Sequence, residues 1–139
     1  MNFKNIKLGE TSISSLNDLK PYLKGEFQGR KKEKFMAIGL NGELKITMAE
    51  NLTEISEKTR AYVDLDKLFK RLKETKSLGL VVSHNHPNGM PVPSDFDIQI
   101  TRDIIKLAEK KDLVFIDHIL YVQFKDNQSF WWSIKNNLK

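Results

Sequence analysis

The chain has 139 residues, of which 40% are apolar, enough for one domain with a single sizeable core. It contains no cysteine, which excludes disulfides, thiolate metal sites and a cysteine nucleophile, so any metal must be held by imidazole and carboxylate. Lys and Arg outnumber Asp and Glu by 23 to 18, a formal charge of +5, and part of the excess lies in RKKEK (residues 30–34) and in the C-terminal KNNLK. The lysines recur along the whole chain without interleaved aromatics, so a solvated basic surface explains them better than a nucleic-acid partner, for which they are weak support.

No stretch approaches the roughly 20 apolar residues of a membrane span, and the opening MNFKNIKLGE lacks the apolar run of a secretory leader. A soluble, cytoplasmic protein without a membrane partner is expected. Nothing in the sequence sets the oligomeric state, and a homo-oligomer is compatible with it.

Residues 15–23 (SLNDLKPYL) begin with a capping serine and end before Gly25, which predicts a short helix bent near Pro21. FMAIGL (35–40) and ELKITMA (43–49) flank Asn41-Gly42, a strong short-range signal for a β-hairpin. Over residues 64–76, Leu65, Leu68, Phe69 and Leu72 fall at helical spacing with charges between them, an amphipathic helix that would dock on a sheet. LGLVVSHNH (78–86) is a β-branched apolar run too short for a typical helix and reads as a buried strand.

A second long helix starts at PSDFD, with Ile100, Ile104, Leu107 and Ala108 on its inner face, and closes at Lys110 and Lys111. Residues 113–116, 118–124 and 129–134 read as three strands, the last two joined by a turn over 125–128. The expected fold class is therefore α/β (α+β), a central mixed sheet flanked by helices. We expect a single domain over residues 1–139, with its core over about 25–134 and a helical N-terminal extension over 1–24.

Residues 83–97, SHNHPNGMPVPSDFD, carry the chemistry. Strand alternation sends His84 and His86 to one face and Ser83 and Asn85 to the other, at the C-terminal end of a buried strand, where open α/β sheets place ligands. Pro87, Pro91 and Pro93 stiffen a loop that Asn88-Gly89 can turn, so the chain can return a third ligand, for which Asp97 is the candidate. Two neutral nitrogens and one carboxylate leave a fourth tetrahedral position open, the pattern of a catalytic zinc site. Taken alone, Ser94 and Asp97 would be a helix capping pair, and a single strand-end histidine would be a satisfied polar residue. The joint occurrence of a same-face pair, a stiff loop and a first-turn carboxylate favours the metal.

The spacing His84-x-His86, seven residues, Ser94, two residues, Asp97 resembles the JAMM signature of JAB/MPN metalloenzymes, and HNHPNGMPVPSDFD resembles its form in the RadC family. KEKFMAIGLNGE, ahead of the metal strand, and DHIL (117–120) are similar to that family's corresponding segments, and the likeness covers about residues 25–134. The family's usual N-terminal helix-hairpin-helix segment and Gly-Thr segment have no counterpart here, the latter in ENLTEISEKTRAYVD, which weakens DNA binding by analogy.

The resemblance implies a JAB/MPN (cytidine deaminase-like) sandwich and a zinc hydrolase cleaving peptide or isopeptide bonds with a metal-activated water, so the expected partner is a peptide or protein substrate. It places the metal on His84, His86 and Asp97, the general base on Glu33 through the KEKF match, and an oxyanion-stabilising hydroxyl on Ser94. On the residues alone Glu33 reads as a solvated member of the Arg30 to Lys34 charge run, and Glu43 and Glu50 compete with it for the base. Asp117 and His118 could orient a ligand imidazole or only satisfy a strand edge. Trp131 and Trp132 alternate faces, one expected in the core and the other at an interface or a substrate groove. The alternative to an enzyme is an inactive metal-binding module that recognises protein or nucleic acid.

Overall fold

The structure is a computed structural model that describes residues 1–55, 61–124, 126 and 128–138. It is built on a five-stranded mixed sheet in the order β2-β1-β5-β6-β7. The strands are β1 (Phe35–Leu40), β2 (Ile46–Asn51), β5 (Gly79–His86), β6 (Val114–Gln123) and β7 (Ser129–Ser133), and only β5 and β6 run parallel. A parallel pair needs a crossover. It is supplied by α3 (Asp95–Lys110), which lies with α2 (Leu65–Glu74) on one face of the sheet. The short α1 (Lys20–Phe27) and the N-terminal segment cover the other face.

Central position explains why β1 and β5 are buried at every residue: both faces are covered, so neither strand shows the alternation of a half-exposed one. Leu80 and Val82 of β5 pack with Ile100 and Ile104 of α3 and with Leu68 and Leu72 of α2, while Val81 joins Leu23 and Phe27 of α1 on the opposite face. Every second residue of β5 thus points at α3, and His84 and His86 continue that series.

Several elements differ from the sequence reading. The first helix is a 3-10 turn over Leu16–Leu19 followed by α1, which runs through Gly25 to Phe27. Pro21 lies in the first turn of α1, where its missing N–H would have had no helical partner. Gly25 does not end the helix. The main chain of Met1 crosses there, and a Cβ on residue 25 would sit 2.0 Å from the Met1 carbonyl oxygen.

The hairpin forms, but β2 begins at Ile46, because Leu44 takes a left-handed conformation (φ 58°) and the Asn41 side chain holds the turn by accepting from the Glu43 and Lys45 amides. A small two-stranded sheet, β3 (Thr53–Ile55) with β4 (Ala61–Val63), has no counterpart in the sequence reading. Of the turn expected over 125–128, Lys125 and Asn127 lie outside the described residues.

The two strands expected over 113–116 and 118–124 are one strand, β6, carrying a bulge. Leu80 pairs with Phe115 and Val81 with Asp117, so Ile116 is the extra residue. The bulge changes which face the later residues meet. Phe115 packs on the α3 side, and strict alternation would have put Asp117 there; after the bulge Ile119 and Tyr121 pack on the α1 side, and His118 turns to α3.

Ile104 is fully buried between α3 and the sheet. Ile104→Ala should lower unfolding free energy by about 2–5 kcal/mol, read by urea denaturation with tryptophan fluorescence. A loss under about 1 kcal/mol, the scale of a surface change, would contradict the docking of α3.

Candidate metal centre

His84 and His86 come from the C-terminal end of β5 and Asp97 from the first turn of α3, so the site lies where the strand ends and the crossover helix begins. Their reactive atoms converge. The two Nε2 atoms are 3.3 Å apart, and Asp97 Oδ1 lies 3.1 Å from His84 Nε2 while its Oδ2 lies 3.0 Å from His86 Nε2. All three residues are buried.

The α3 N-terminus fixes the carboxylate by a complete capping box. Ser94 Oγ accepts from the Asp97 amide at 3.1 Å, and the Ser94 amide donates to Asp97 Oδ2 at 2.9 Å. The cap and the metal reading of Ser94 and Asp97 coexist: one Asp97 oxygen serves the helix, and both face the imidazoles. Ser94 Oγ accepts in the cap, which leaves its own proton free to donate.

A buried chain of hydrogen bonds sets the imidazole tautomers. Thr101 Oγ1 donates to the Asp97 carbonyl at 2.7 Å and therefore accepts from His118 Nδ1 at 2.5 Å. That leaves His118 Nε2 to accept from His84 Nδ1 at 2.7 Å. Burial strongly opposes a second proton on His118, whose pKa is pushed well below the ordinary histidine value. His86 Nδ1 donates to the Met90 carbonyl at 3.0 Å. With both Nδ1 atoms donating, the two Nε2 atoms of neutral His84 and His86 are bare lone pairs pointed at each other and at a carboxylate.

Such a group of acceptors coheres only around a proton or a cation, and this donor set fits a metal ion. Where a proton fills the role, the charges agree. Burial opposes the charge on His86, but its bond to Asp97, the Met90 carbonyl and Glu33 outweigh burial and raise its pKa. Burial alone would raise the Asp97 carboxyl; bonds to His84, His86 and the Ser94 amide hold it well below the usual carboxylate range. Phe35 stacks on the His84 ring at 5.8 Å and meets the His118 ring edge-on at 5.3 Å, packing that locks both rings.

Glu33 completes the cluster. Its Oε1 is 3.6 Å from His86 Nε2, and it forms with His84 and His86 a group of ligand-type atoms all within 4.8 Å of one another. Unlike Asp97 it reaches solvent, with 36% of its side chain exposed. Partial burial raises its pKa, opposed by the charges of His84 and His86 and reinforced by that of Asp97. Glu43 and Glu50 are elsewhere: Glu43 pairs with Lys45 in the hairpin turn, and Glu50 is bound by Arg71 of α2 at 3.0 Å.

Two residues of the site escaped the sequence reading. Thr101 stands one helical turn after Asp97 on the same face, which that spacing could have indicated. Asn85 points away from the metal face and is fully buried; its Oδ1 accepts from the Lys34 amide at 2.6 Å and its Nδ2 donates to the Lys32 carbonyl at 3.2 Å. It therefore grips the backbone on both sides of Glu33. A buried amide in a strand must find partners, but the sequence gives no sign of which. His118 holds the His84 imidazole. Asp117 does not, since the bulge turns it away, where it accepts from the His118 and Lys135 amides. Trp131 packs on Tyr121 at 4.8 Å, and Trp132 lies against Leu120 and Val122 with an indole nitrogen that is buried without a partner among the described residues.

A mixed sheet with a His-x-His strand end, a capped Asp97 and a Glu33 carboxylate across from it is the arrangement of a JAB-type domain with a group that could hold a metal ion. The profile of the RadC-like JAB domain matches residues 13–137, and the chain belongs to that family. It is 28% identical over 129 residues to a UPF0758 protein of Carboxydothermus hydrogenoformans, covering 88% of this chain and 57% of that protein. It is 32% identical over 111 residues to one of Clostridium botulinum, covering 80% and 48%, and 29% identical over 119 residues to one of Methanosarcina mazei, covering 82% and 52%. The chain thus spans about half the length of the curated relatives it matches. No helix among the described residues is long and apolar enough to cross a membrane.

Thr101→Val keeps the shape and removes the hydroxyl that orients His118. It should weaken metal affinity by about 10–100-fold, the usual effect of losing an outer hydrogen bond to a ligand histidine, measured by competition with a chromogenic chelator. Unchanged affinity would mean that the Thr101–His118–His84 chain does not set the ligand tautomer.

Proposed function

We propose that the protein is a zinc-dependent hydrolase of the JAMM type that cleaves peptide or isopeptide amide bonds. The reading is carried by one observation: two bare Nε2 atoms and a capped Asp97 carboxylate form one wall of a site, and a solvent-reaching carboxylate, Glu33, stands opposite, 3.6 Å from His86 Nε2. His84, His86 and Asp97 would hold the ion. Zinc in such a site supplies Lewis acidity, lowering the pKa of water toward about 7 and polarising a carbonyl.

The rest falls to side chains. Glu33, with its pKa raised by burial, takes the proton of the attacking water and returns it to the departing amine. Ser94 turns its free hydroxyl proton toward the developing oxyanion, a contribution of about 3 kcal/mol where the aim is good. His118 and Thr101 fix the His84 tautomer so that its Nε2 would be free to hold the ion, and Asn85 keeps Glu33 in reach.

A second reading takes Glu33 as a fourth ligand rather than a base, because it falls into one ligand-type group with His84 and His86. A site closed by four protein ligands is structural, and the chain would be a metal-binding module. One substitution separates the two. For the hydrolase, Glu33→Gln leaves zinc affinity and folding intact and slows amide hydrolysis by about 10²–10⁴-fold, read by zinc titration beside turnover of a fluorogenic peptide panel. For the module, the same variant loses zinc affinity and the parent hydrolyses nothing. His84→Ala should remove most zinc affinity in either case, and a variant that binds as tightly as the parent would overturn the metal site itself.

A further inference from the structure

We infer that the cleft beside the metal centre is a subsite for an acidic segment of a polypeptide substrate, lying within a few residues of the bond presented to the site. This rests on the hydrolase reading above and adds a substrate class to it. The cleft has a volume of about 350 Å³. One wall is the segment that bears Glu33, with Arg30, Lys31, Lys32 and Lys34; across from it stand Asn51 and Thr53. Glu33 belongs both to this lining and to the cluster around His86, so the cleft adjoins that cluster through Glu33.

The charges there are not those of an ordinary solvated run. Glu33 is the one acid in the lining, and it faces His86. Lys34 is neutralised by Glu26, and Arg30 is held through its Nε to the Glu26 carbonyl. Lys31 and Lys32 are exposed and have no ion-pair partner among the described residues. The backbone at Lys32 is pinned, because buried Asn85 binds the Lys32 carbonyl and the Lys34 amide. Cations on a fixed concave wall lose less freedom on meeting an anion than lysines on a mobile loop.

On the opposite wall, Asn51 Oδ1 is engaged by the Thr53 amide, and Thr53 Oγ1 accepts from the Phe35 amide. The Asn51 NH₂ is left to donate. Apart from Glu33, which faces His86, the uncommitted side-chain groups of the cleft are donors or cations, which suits carboxylates. Aromatic residues are missing from the lining, so stacked bases have no platform. A strand advances about 3.3 Å per residue, so an extended substrate with its carbonyl at the His84–His86–Asp97 cluster would place an acidic side chain of a nearby residue in the adjoining cleft.

The test uses the full zinc-loaded chain and fluorescein-labelled hexaglutamate, hexalysine and oligothymidylate, followed by anisotropy at about 0.02 M salt, where charge attraction is weakly screened. Two variants carry equal changes of charge: Lys31→Glu with Lys32→Glu in the cleft, and Lys110→Glu with Lys111→Glu at the far end of α3, about 22 Å from its first turn along the helix. Hexaglutamate should bind, and the cleft variant should weaken it about tenfold while the far variant changes it less than twofold. Zinc content should be the same in all three proteins. Equal losses in both variants would reduce the effect to net charge and overturn the inference. No binding of hexaglutamate would overturn it, as would tighter binding of oligothymidylate lost in the same cleft variant, which would assign the cleft to nucleic acid.

Turnover is read separately. Hexaglutamate binding without hydrolysis of any peptide would remove the hydrolase reading and leave the cleft's specificity standing. Hydrolysis of peptides indifferent to acidic residues would remove only the specificity.

Discussion

Four hydrogen-bond acceptors are forced into one buried place, and much of the structure around them exists to keep them there. Neutral imidazoles and a carboxylate repel when their lone pairs meet, and burial removes the water that would otherwise separate them. The protein accepts this arrangement because each group is committed on its other side. His84 is tied through His118 and Thr101 to the backbone of α3, His86 is tied to Met90, and Asp97 is tied to the cap of its own helix. None can turn away without breaking a buried bond, so the remaining way to relieve the repulsion is to bind a positive charge.

The fold serves this constraint at three points. The parallel pairing of β5 and β6 requires the α3 crossover, and that crossover returns Asp97 to the end of β5. The bulge at Ile116 reverses the facing of β6, so that His118 lies behind His84 and Asp117 does not. The antiparallel pairing of β1 with β5 sets Phe35 opposite His84, which brings the segment ahead of β1 to the metal side, where Asn85 fixes it from beneath. The histidine–carboxylate cluster, Glu33 and the cleft thus depend on one strand, β5, whose two faces do different work. His84 and His86 face Asp97, and Asn85 holds the wall that carries Glu33.

How much of this the sequence disclosed follows from the range of each interaction. The buried strand at 78–86, the amphipathic helices and the hairpin rest on local periodicity and turn chemistry, and they formed with ends shifted by a few residues. The convergence of His84, His86 and Asp97 was legible because strand alternation and a stiff loop act over short spans. The bulge was not: its trace, Asp117 between two apolar runs, read as a break because only pairing with Leu80 and Val81 shows that the strand continues. Thr101 and Asn85 were hidden for a similar reason, since a hydroxyl in a helix and an amide in a strand take their meaning from what lies across the sheet. The capping box shows the converse. Ser94 and Asp97 looked like alternatives, helix cap or metal site, and geometry lets one pair of side chains serve both.

The account turns on which nitrogen of each imidazole faces the centre, and nitrogen-15 NMR of the side chains reads this directly. The chain has only three histidines, so the spectrum is simple. On adding one equivalent of zinc, two rings should keep a protonated Nδ1 and show a metal-shifted Nε2, while the third, His118, should remain a neutral Nδ1–H tautomer without coordination. Coordination through Nδ1, a shift on His118 in place of His84, or a spectrum indifferent to zinc would contradict it.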